Sequence, residues 1–123
     1  MPMLTYQELT YPSCLDVLRA TSVTRAAFCG EDGPYLVPMA FQLGSDGVKP
    51  MIYLCMPDKG HKVDCLGTDD RLCLEFEAPG CAWVDVVLLR GRAAIDAWEK
   101  DAGIALHVKA EELSGRRFFL PEG

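Results

Sequence analysis

Four consecutive residues, Lys59-Gly60-His61-Lys62, place two ammonium groups and an imidazole where an apolar strand pattern gives way to a short helix pattern. The first amides of a helix have no partner inside the helix, and the helix dipole makes that end electropositive. Beside an ammonium group, such amides can hold a phosphate. The alternative interpretation is a solvated basic turn that starts a surface helix. His61 could bind a phosphate oxygen, deliver a proton, or have no role.

A second basic pair, Arg90 and Arg92, alternates with apolar residues in the longest strand pattern, so both side chains are expected on one side. A positive charge there would stabilise a bound anionic group, and the alternative is an ion pair at a subunit interface. Cys55 ends another strand pattern and could face a ligand, although a thiol more often fills a core. Three aromatic side chains could stack on a planar ring or simply pack: Tyr35, Tyr53 and Trp83.

Size and charge narrow the class of protein. The chain has 123 residues, so we expect a single domain over residues 1–123. Its net charge of −6 argues against nucleic acid as a partner, and local basic segments on an acidic chain favour one small anionic ligand. The sequence shows neither a Ser/His/Asp order nor a pair of carboxylates of the kind that hydrolases use, so nothing in it indicates a hydrolase.

The N-terminus and the cysteines indicate the compartment. Residues 1–14 lack the basic head and apolar run of a secretory signal, and no apolar run is long enough to span a membrane, which predicts a cytoplasmic protein. In that compartment the six cysteines are expected to be free and to fill the core. No His or Cys spacing typical of zinc is present, so we expect no metal site.

The elements that must position these groups follow from apolar periodicity. We predict helices over Tyr11–Arg19 and His61–Leu66, with Ser13 as a possible cap of the first and Gly67 as the C-terminal cap of the second. Strands are predicted over Val23–Cys29, Pro34–Gln42, Pro50–Met56, Leu72–Phe76, Trp83–Ala97 and Leu106–Glu111. Six strands and two short helices predict a mainly β protein folded as a barrel, the first three strands forming a meander, because an open sheet would leave its edges exposed.

Three further features refine the topology. Pro38 removes a donor from its strand and indicates an edge, a bulge or a ligand contact. The longest strand is apolar on both faces, and the face with Val87 and Leu89 is predicted to be the interface of a homodimer. Ser114-Gly115-Arg116 is predicted to be a turn, followed by a short apolar tail at residues 118–120.

Five segments, in this order, resemble a known family: residues 32–41, 52–54, 60–66, 71–76 and 90–93. Together they are similar to the pyridoxamine 5′-phosphate oxidase-like superfamily of FMN-binding split barrels, and within it to the small 5-nitroimidazole-resistance (Nim-like) proteins. The resemblance covers roughly residues 15–117. Relatives often carry a small polar residue or His near Cys55, and a helix between the last two strands where this chain has only residues 98–103.

The resemblance implies a homodimer with two FMN sites at the subunit interface. Carried over residue by residue, it implies that the cofactor contacts Val37, Pro38, Met39, Leu54, Cys55, Met56, Lys59, His61, Lys62 and Arg92, and His61 is the candidate catalytic residue. It also implies an FMN-dependent oxidoreductase that passes electrons from NADH or NADPH to a small oxidised acceptor, and the likeness to the Nim-like proteins implies a nitro-aromatic acceptor. The alternatives are a carrier or sensor that binds flavin or haem without turnover, with His61 or His107 as an axial haem ligand, and a barrel without a cofactor.

Overall fold

The structure is a computed structural model that describes residues 5–121. Its helices are α1 (Tyr11–Ala20) and α2 (His61–Thr68), and its strands are β1 (Tyr6–Glu8), β2 (Val23–Gly30), β3 (Gly33–Ala40), β4 (Gln42–Ser45), β5 (Pro50–Met56), β6 (Arg71–Pro79), β7 (Trp83–Glu99), β8 (Gly103–Lys109) and β9 (Glu112–Phe119). Both helices and all six predicted strands are present, so the mainly β fold class is confirmed. The described residues form nine strands rather than six, because β1, β4 and β9 are too short or too irregular in sequence to show a clear period.

The strands form one antiparallel sheet in the order β3-β2-β6-β7-β8-β5-β4, with β9 also paired to β7 and β1 to β9. The long strand β7 belongs to two halves of this sheet, since its first part pairs with β6 and β9 and its last part with β8. The two end strands of the order, β3 and β4, are joined in the chain by the single buried residue Phe41. The sheet therefore curls into a barrel that meets at one corner and stays split beyond it.

The core fills the inside of this curled sheet. Side chains that alternate along β2, β5, β6, β7 and β8 point inward, and α1 covers one end against β6, β7 and β9 while α2 packs on β2. Thr24 is the one fully buried polar side chain of the described residues, and its hydroxyl donates to the carbonyl oxygen of Glu75 at 2.8 Å. The helix α1 is capped by the side chain of Thr10, which accepts from the amide of Ser13, so the cap precedes the predicted one.

The face of β7 predicted as an interface is the inner face. Val87 and Leu89 are fully buried in the core of this chain. The opposite face carries Val86 and Leu88, and Leu88 remains 38% exposed. The sequence pattern shows that both faces are apolar, but only the curl of the sheet determines which face the chain covers itself.

Two glycines predicted to end or interrupt an element lie inside regular secondary structure. Gly115 lies inside β9, where an added Cβ would be 2.7 Å from the sulfur of Cys14 on α1, so this glycine allows a close approach of helix and strand rather than a turn. The predicted apolar tail is mostly the end of β9. Likewise Gly67 lies inside α2, which ends at Thr68. Asp69 is the C-cap residue, and its amide donates to the carbonyl oxygen of Cys65 at 2.9 Å.

Strand pairing corrects the predicted meander. The strand β3 pairs only with β2, whereas β5 pairs with β4 and β8, so the third predicted strand crosses to the other half of the sheet. The edge position of Pro38 is confirmed, since β3 has no partner on its other side among the described strands.

The cysteines are free but only partly in the core. Cys14 and Cys65 are buried, Cys73 is half-buried, and the remaining three are exposed: Cys29, Cys55 and Cys81. Burial raises the pKa of Cys65, with a smaller contribution from the neighbouring carboxylate of Asp64. The prediction of core-filling thiols is therefore wrong for half of them, because each exposed cysteine occupies an outward position of its strand or lies in the loop after β6.

Candidate functional site

The split in the barrel opens a cleft between β3 and β5. Pairing of β4 with β5 ends at Tyr53, so residues 54–56 pair only with β8 and their other backbone edge is free. Across the opening, the free edge of β3 presents residues 38–40. The cleft has a volume of about 500 Å³, which is the size of a small-molecule site. It is lined by Pro38, Met39, Ala40, Phe41, Gln42, Tyr53, Cys55 and Lys62.

The first turn of α2 closes one side of this cleft. Gly60 occupies the N-cap position with φ of 121°, a conformation that glycine adopts readily, and no side chain caps the helix. The first helical hydrogen bond in this turn runs from the amide of Asp64 to the carbonyl oxygen of Gly60 at 3.2 Å. The amides at positions 61–63 therefore lack helical partners, and the half-buried side chain of Lys62 lies in the cleft beside them.

His61 and Lys59 flank this turn but do not line the cleft. The imidazole of His61 is exposed and stands edge-on to the ring of Tyr35, with ring centroids 4.5 Å apart, which ties α2 to β3. The ammonium of Lys59 lies 3.6 Å from a carboxylate oxygen of Asp101 in the β7–β8 turn. The amide of Asp101 also donates to the carboxylate of Asp58 at 2.8 Å, so this turn is held to the segment before α2.

The predicted cofactor contacts on β3 and β5 alternate along each strand between side chains that point into the core and side chains that point outward. Leu54 and Met56 point into the core, so only their backbone groups reach the opening. Val37 is half-buried and packs against the core. Pro38 and Cys55 point outward, and both line the cleft. Of the ten predicted cofactor contacts, the structure brings Pro38, Met39, Cys55 and Lys62 together around one cavity.

Arg92 lies away from the cleft of its own chain. Its guanidinium donates to the carboxylate of Asp70 at 2.6 Å on the outer face of β7. On the neighbouring strand, Arg71 forms a two-pronged pair with Asp69 and lowers the pKa of that carboxyl to about 2. Arg90 approaches Glu112 at 3.8 Å. These arginines are thus paired within the chain.

Sequence reasoning did not assign Gln42, Phe41 or Tyr53 to the cleft. The sequence indicates Tyr53 only as a residue that could stack on a planar ring. In the structure its ring lies over Gly44, where an added Cβ would be 2.5 Å from Cε2 of Tyr53. The sequence feature that could have indicated this contact is Gly44, since a glycine within a strand often marks a place where another group approaches the backbone closely. Gln42 lies opposite Tyr53 because β4 begins directly after the buried corner at Phe41.

Solved structures of the same fold come from several bacteria. A Bacteroides thetaiotaomicron protein provisionally described as a 5-nitroimidazole antibiotic resistance protein matches with a TM-score of 0.82 at 14% identity, over 95% of this chain and 90% of that one. An FAD-binding protein from Mesorhizobium loti matches with a TM-score of 0.79 at 20% identity, over 94% and 98%. A Corynebacterium glutamicum protein provisionally described as a pyridoxamine 5′-phosphate oxidase gives 0.76 at 17% identity, over 100% and 99%.

These likenesses establish that the chain has the split-barrel fold of these solved structures, which confirms at the level of the fold the resemblance drawn from the sequence. No protein-family model and no curated protein matches the sequence. Neither described helix has the length and apolar character needed to cross a membrane.

Proposed function

We propose that the protein binds a flavin mononucleotide, with its phosphate at the start of α2 and its ring system in the cleft between β3 and β5. The observation that carries this proposal is the meeting of Lys62 with a helix N-terminus that no side chain caps, on the rim of a cavity of about 500 Å³. Solved neighbours described as FAD-binding support a flavin as the ligand.

The residues present fit such a ligand. The amides of residues 61–63 and the ammonium of Lys62 would bind a phosphate by charge-assisted hydrogen bonds. The free backbone edges of residues 38–40 and 54–56 offer donors and acceptors to the polar edge of the ring. Phe41, Met39 and Tyr53 supply apolar and aromatic surface against its faces. Among the described residues, the cleft lining contains one cationic side chain, Lys62, which matches the single phosphate of FMN better than the two phosphates of FAD.

We further propose an oxidoreductase that takes electrons from NADH or NADPH and reduces a small acceptor. The bound flavin would supply the two-electron chemistry, and the chain would supply orientation, exclusion of water and charge. The neighbour described as a 5-nitroimidazole resistance protein favours a nitro-aromatic acceptor. The cleft is open to solvent, so an acceptor can enter after the cofactor is bound.

A homodimer would complete the site. The outer face of β7 is apolar, with Val86 half-buried and Leu88 exposed, and Arg92 lies on the outer side of the same strand. Arg92 can reach a flavin only from a partner subunit, since it lies outside the cleft of its own chain. We expect Leu88→Asp to give a monomer in size-exclusion chromatography with light scattering, because it places a charge in the interface. Val48→Asp, at a position that is 83% exposed, is the control, and a Leu88→Asp dimer would reject this interface.

Cofactor uptake tests the proposed function. Purified protein is first stripped of any bound flavin and then titrated with FMN, and binding should quench the fluorescence of the flavin. The protein should bind FMN more tightly than riboflavin or FAD. The yellow complex should bleach with NADH or NADPH without oxygen and recover its colour with a nitro-aromatic compound. A complex that binds FMN but is inert to both donors would indicate a carrier, a Soret band would indicate haem, and a protein that takes up no flavin would refute the proposal.

A further inference from the structure

A hydrogen-bonded acid–imidazole pair stands on the outer face of the second half of the sheet. The register places Tyr53 on β5, His107 on β8 and Ala94 on β7 side by side on this face. The Nδ1 atom of His107 lies 2.8 Å and 3.0 Å from the two carboxylate oxygens of Asp96. Both side chains remain accessible, since His107 is 22% exposed and Asp96 is 42% exposed.

A β-bulge lies at Asp96. The register of β7 against β8 shifts between Ile95 and Ala97, so Asp96 is an extra residue without a partner in the ladder. A bulge redirects the side chain of the extra residue and is frequent beside functional sites. Asp96 lies two residues after Ala94, the ladder partner of His107, and the bulge places Ala97 rather than Asp96 opposite Ala105. The Asp96 side chain is left free of the ladder and contacts His107.

The pair has a defined proton arrangement. A carboxylate accepts only, so the hydrogen bond requires the proton on Nδ1 of His107 and leaves Nε2 as the exchangeable position. Within residues 5–121, Nε2 makes no hydrogen bond. The other ionisable neighbours are Tyr53 and Cys55 on β5 and Lys109 on β8, and Lys109 is already paired with Asp46 at 3.1 Å. Asp96 is therefore the carboxylate that acts on His107.

The pair adjoins the cleft through Tyr53. The rings of Tyr53 and His107 lie with centroids 5.9 Å apart at an angle of 49°, and Tyr53 itself lines the cleft together with Lys62. Cys55, also on the cleft wall, is opposite Ala105, which makes it the diagonal neighbour of His107 across the β5–β8 ladder. A planar molecule that overlaps the rim at Tyr53 would therefore meet the imidazole of His107.

We propose that His107 is the proton donor to the acceptor, with Asp96 as the positioning residue that holds its tautomer. This inference rests on the proposed function and names the acceptor class: a planar molecule, such as a quinone or a nitro-aromatic compound, whose reduced oxygen must be protonated. With a reduced flavin bound, the acceptor would take a hydride, which is two electrons and one proton, from the cofactor and a second proton from Nε2 of protonated His107. A quinone would become a hydroquinone, and a nitro group would become a nitroso group with loss of water. The neutral imidazole left behind regains a proton from water.

The rate of acceptor reduction tests this role. The full chain loaded with FMN is reduced with one equivalent of dithionite, without oxygen or nicotinamide, and mixed with 1,4-naphthoquinone in a stopped-flow instrument between pH 5 and 9. We expect His107→Gln to lower the rate about 10²-fold and to remove its dependence on pH, because a general acid contributes about that much. Asp96→Asn should lower the rate about tenfold, and Asp96→Glu should restore part of it. Asp16→Asn, an exposed carboxylate on α1, is the matched control.

A second measurement does not depend on turnover. The chain has two histidines, so ¹⁵N NMR resolves each imidazole, with His61 as the internal reference. In the flavin-free protein, we expect neutral His107 to carry its proton on Nδ1 and Asp96→Asn to lose this preference. Addition of naphthoquinone to the oxidised complex should shift the Nε2 signal of His107.

The outcomes separate the two proposals. A wild-type chain that binds no flavin overturns the proposed function and this inference with it. A chain that binds and transfers electrons as proposed overturns only the inference if His107→Gln keeps the wild-type rate and pH profile. The same holds if neutral His107 carries its proton on Nε2. Unchanged FMN affinity of each variant establishes that its site has folded, and Asp96→Asn keeps the imidazole should His107→Gln fail that criterion.

Discussion

Replacing Lys62 by Met should weaken binding of FMN but not of riboflavin. Methionine keeps most of the length and apolar stem of lysine and removes the charge. Lys62 is half-buried on the rim of the cleft, so its ammonium is partly shielded from solvent when it faces a phosphate. The phosphate would keep the amides of residues 61–63, and we therefore expect weaker binding rather than none.

The size of the effect follows from one charge-assisted hydrogen bond. Such a bond contributes about 1.5–3 kcal/mol, and partial solvent exposure at Lys62 places it near the lower end, at about 1.5–2 kcal/mol. Since about 1.4 kcal/mol corresponds to a factor of ten, the dissociation constant for FMN should rise roughly 10- to 30-fold. Riboflavin has no phosphate, and its affinity should change less than about twofold.

Fluorescence titration of both flavins with both proteins forms a thermodynamic cycle that isolates the coupling between Lys62 and the phosphate. Wild-type affinity for FMN should also fall with added salt, and the variant should show a smaller salt dependence. Lys49→Met, an exposed position before β5, controls for net charge, and Lys59→Met should have little effect because its ammonium pairs with Asp101. Equal losses for FMN and riboflavin, or no loss for either, would refute the phosphate assignment.

Other predictions concern stability. Gly91→Ala should lower the free energy of unfolding in urea by about 1–3 kcal/mol, because the added Cβ would collide with the backbone of β8. Gly67→Ala is the control, since the space around Gly67 is open and no loss of stability is expected. Equal losses for the two variants would contradict the steric argument. Thr24→Val should cost about 1–2 kcal/mol by removing the hydroxyl donor from the part-buried carbonyl oxygen of Glu75, whereas Thr24→Ser should keep most of the stability. Arg71 lowers the pKa of Asp69 from 3.8 to about 2, so this pair stabilises the fold above about pH 4 and the contribution disappears as pH falls through about 2. Thermal melts of Asp69→Asn should therefore differ from wild type at pH 7 and converge with it near pH 2; a constant difference would exclude the linkage.

The strands and helices were predictable where one physical signal acted alone. The alternation of Leu72, Leu74 and Phe76 predicted β6, since a strand with one buried face must alternate. Errors arose where glycine was ambiguous. Gly115 has the composition of a turn, yet it allows α1 to approach β9, and nothing within residues 114–116 reveals that a helix from the start of the chain packs there.

The candidate site was predictable only in part. The basic segment at residues 59–62 indicated an anion at a helix start, and α2 begins there. Which lysine reaches the cleft depends on the helix: Lys62 lies within the first turn and faces β3, whereas Lys59 precedes it and reaches the β7–β8 turn. The contribution of Tyr53 and Gln42 depends on where β4 stops pairing with β5, which is a property of the curled sheet.

The sequence by itself determined the class of fold, the strand faces that must be buried, and a local site of positive potential, because each follows from neighbouring residues. The tertiary structure decided which apolar face of β7 is inside, how the split between β3 and β5 becomes a cleft, and that Asp96 pairs with His107 across β7 and β8. Each of these depends on contacts between residues distant in the chain, and their register is set only when the whole sheet closes on its core.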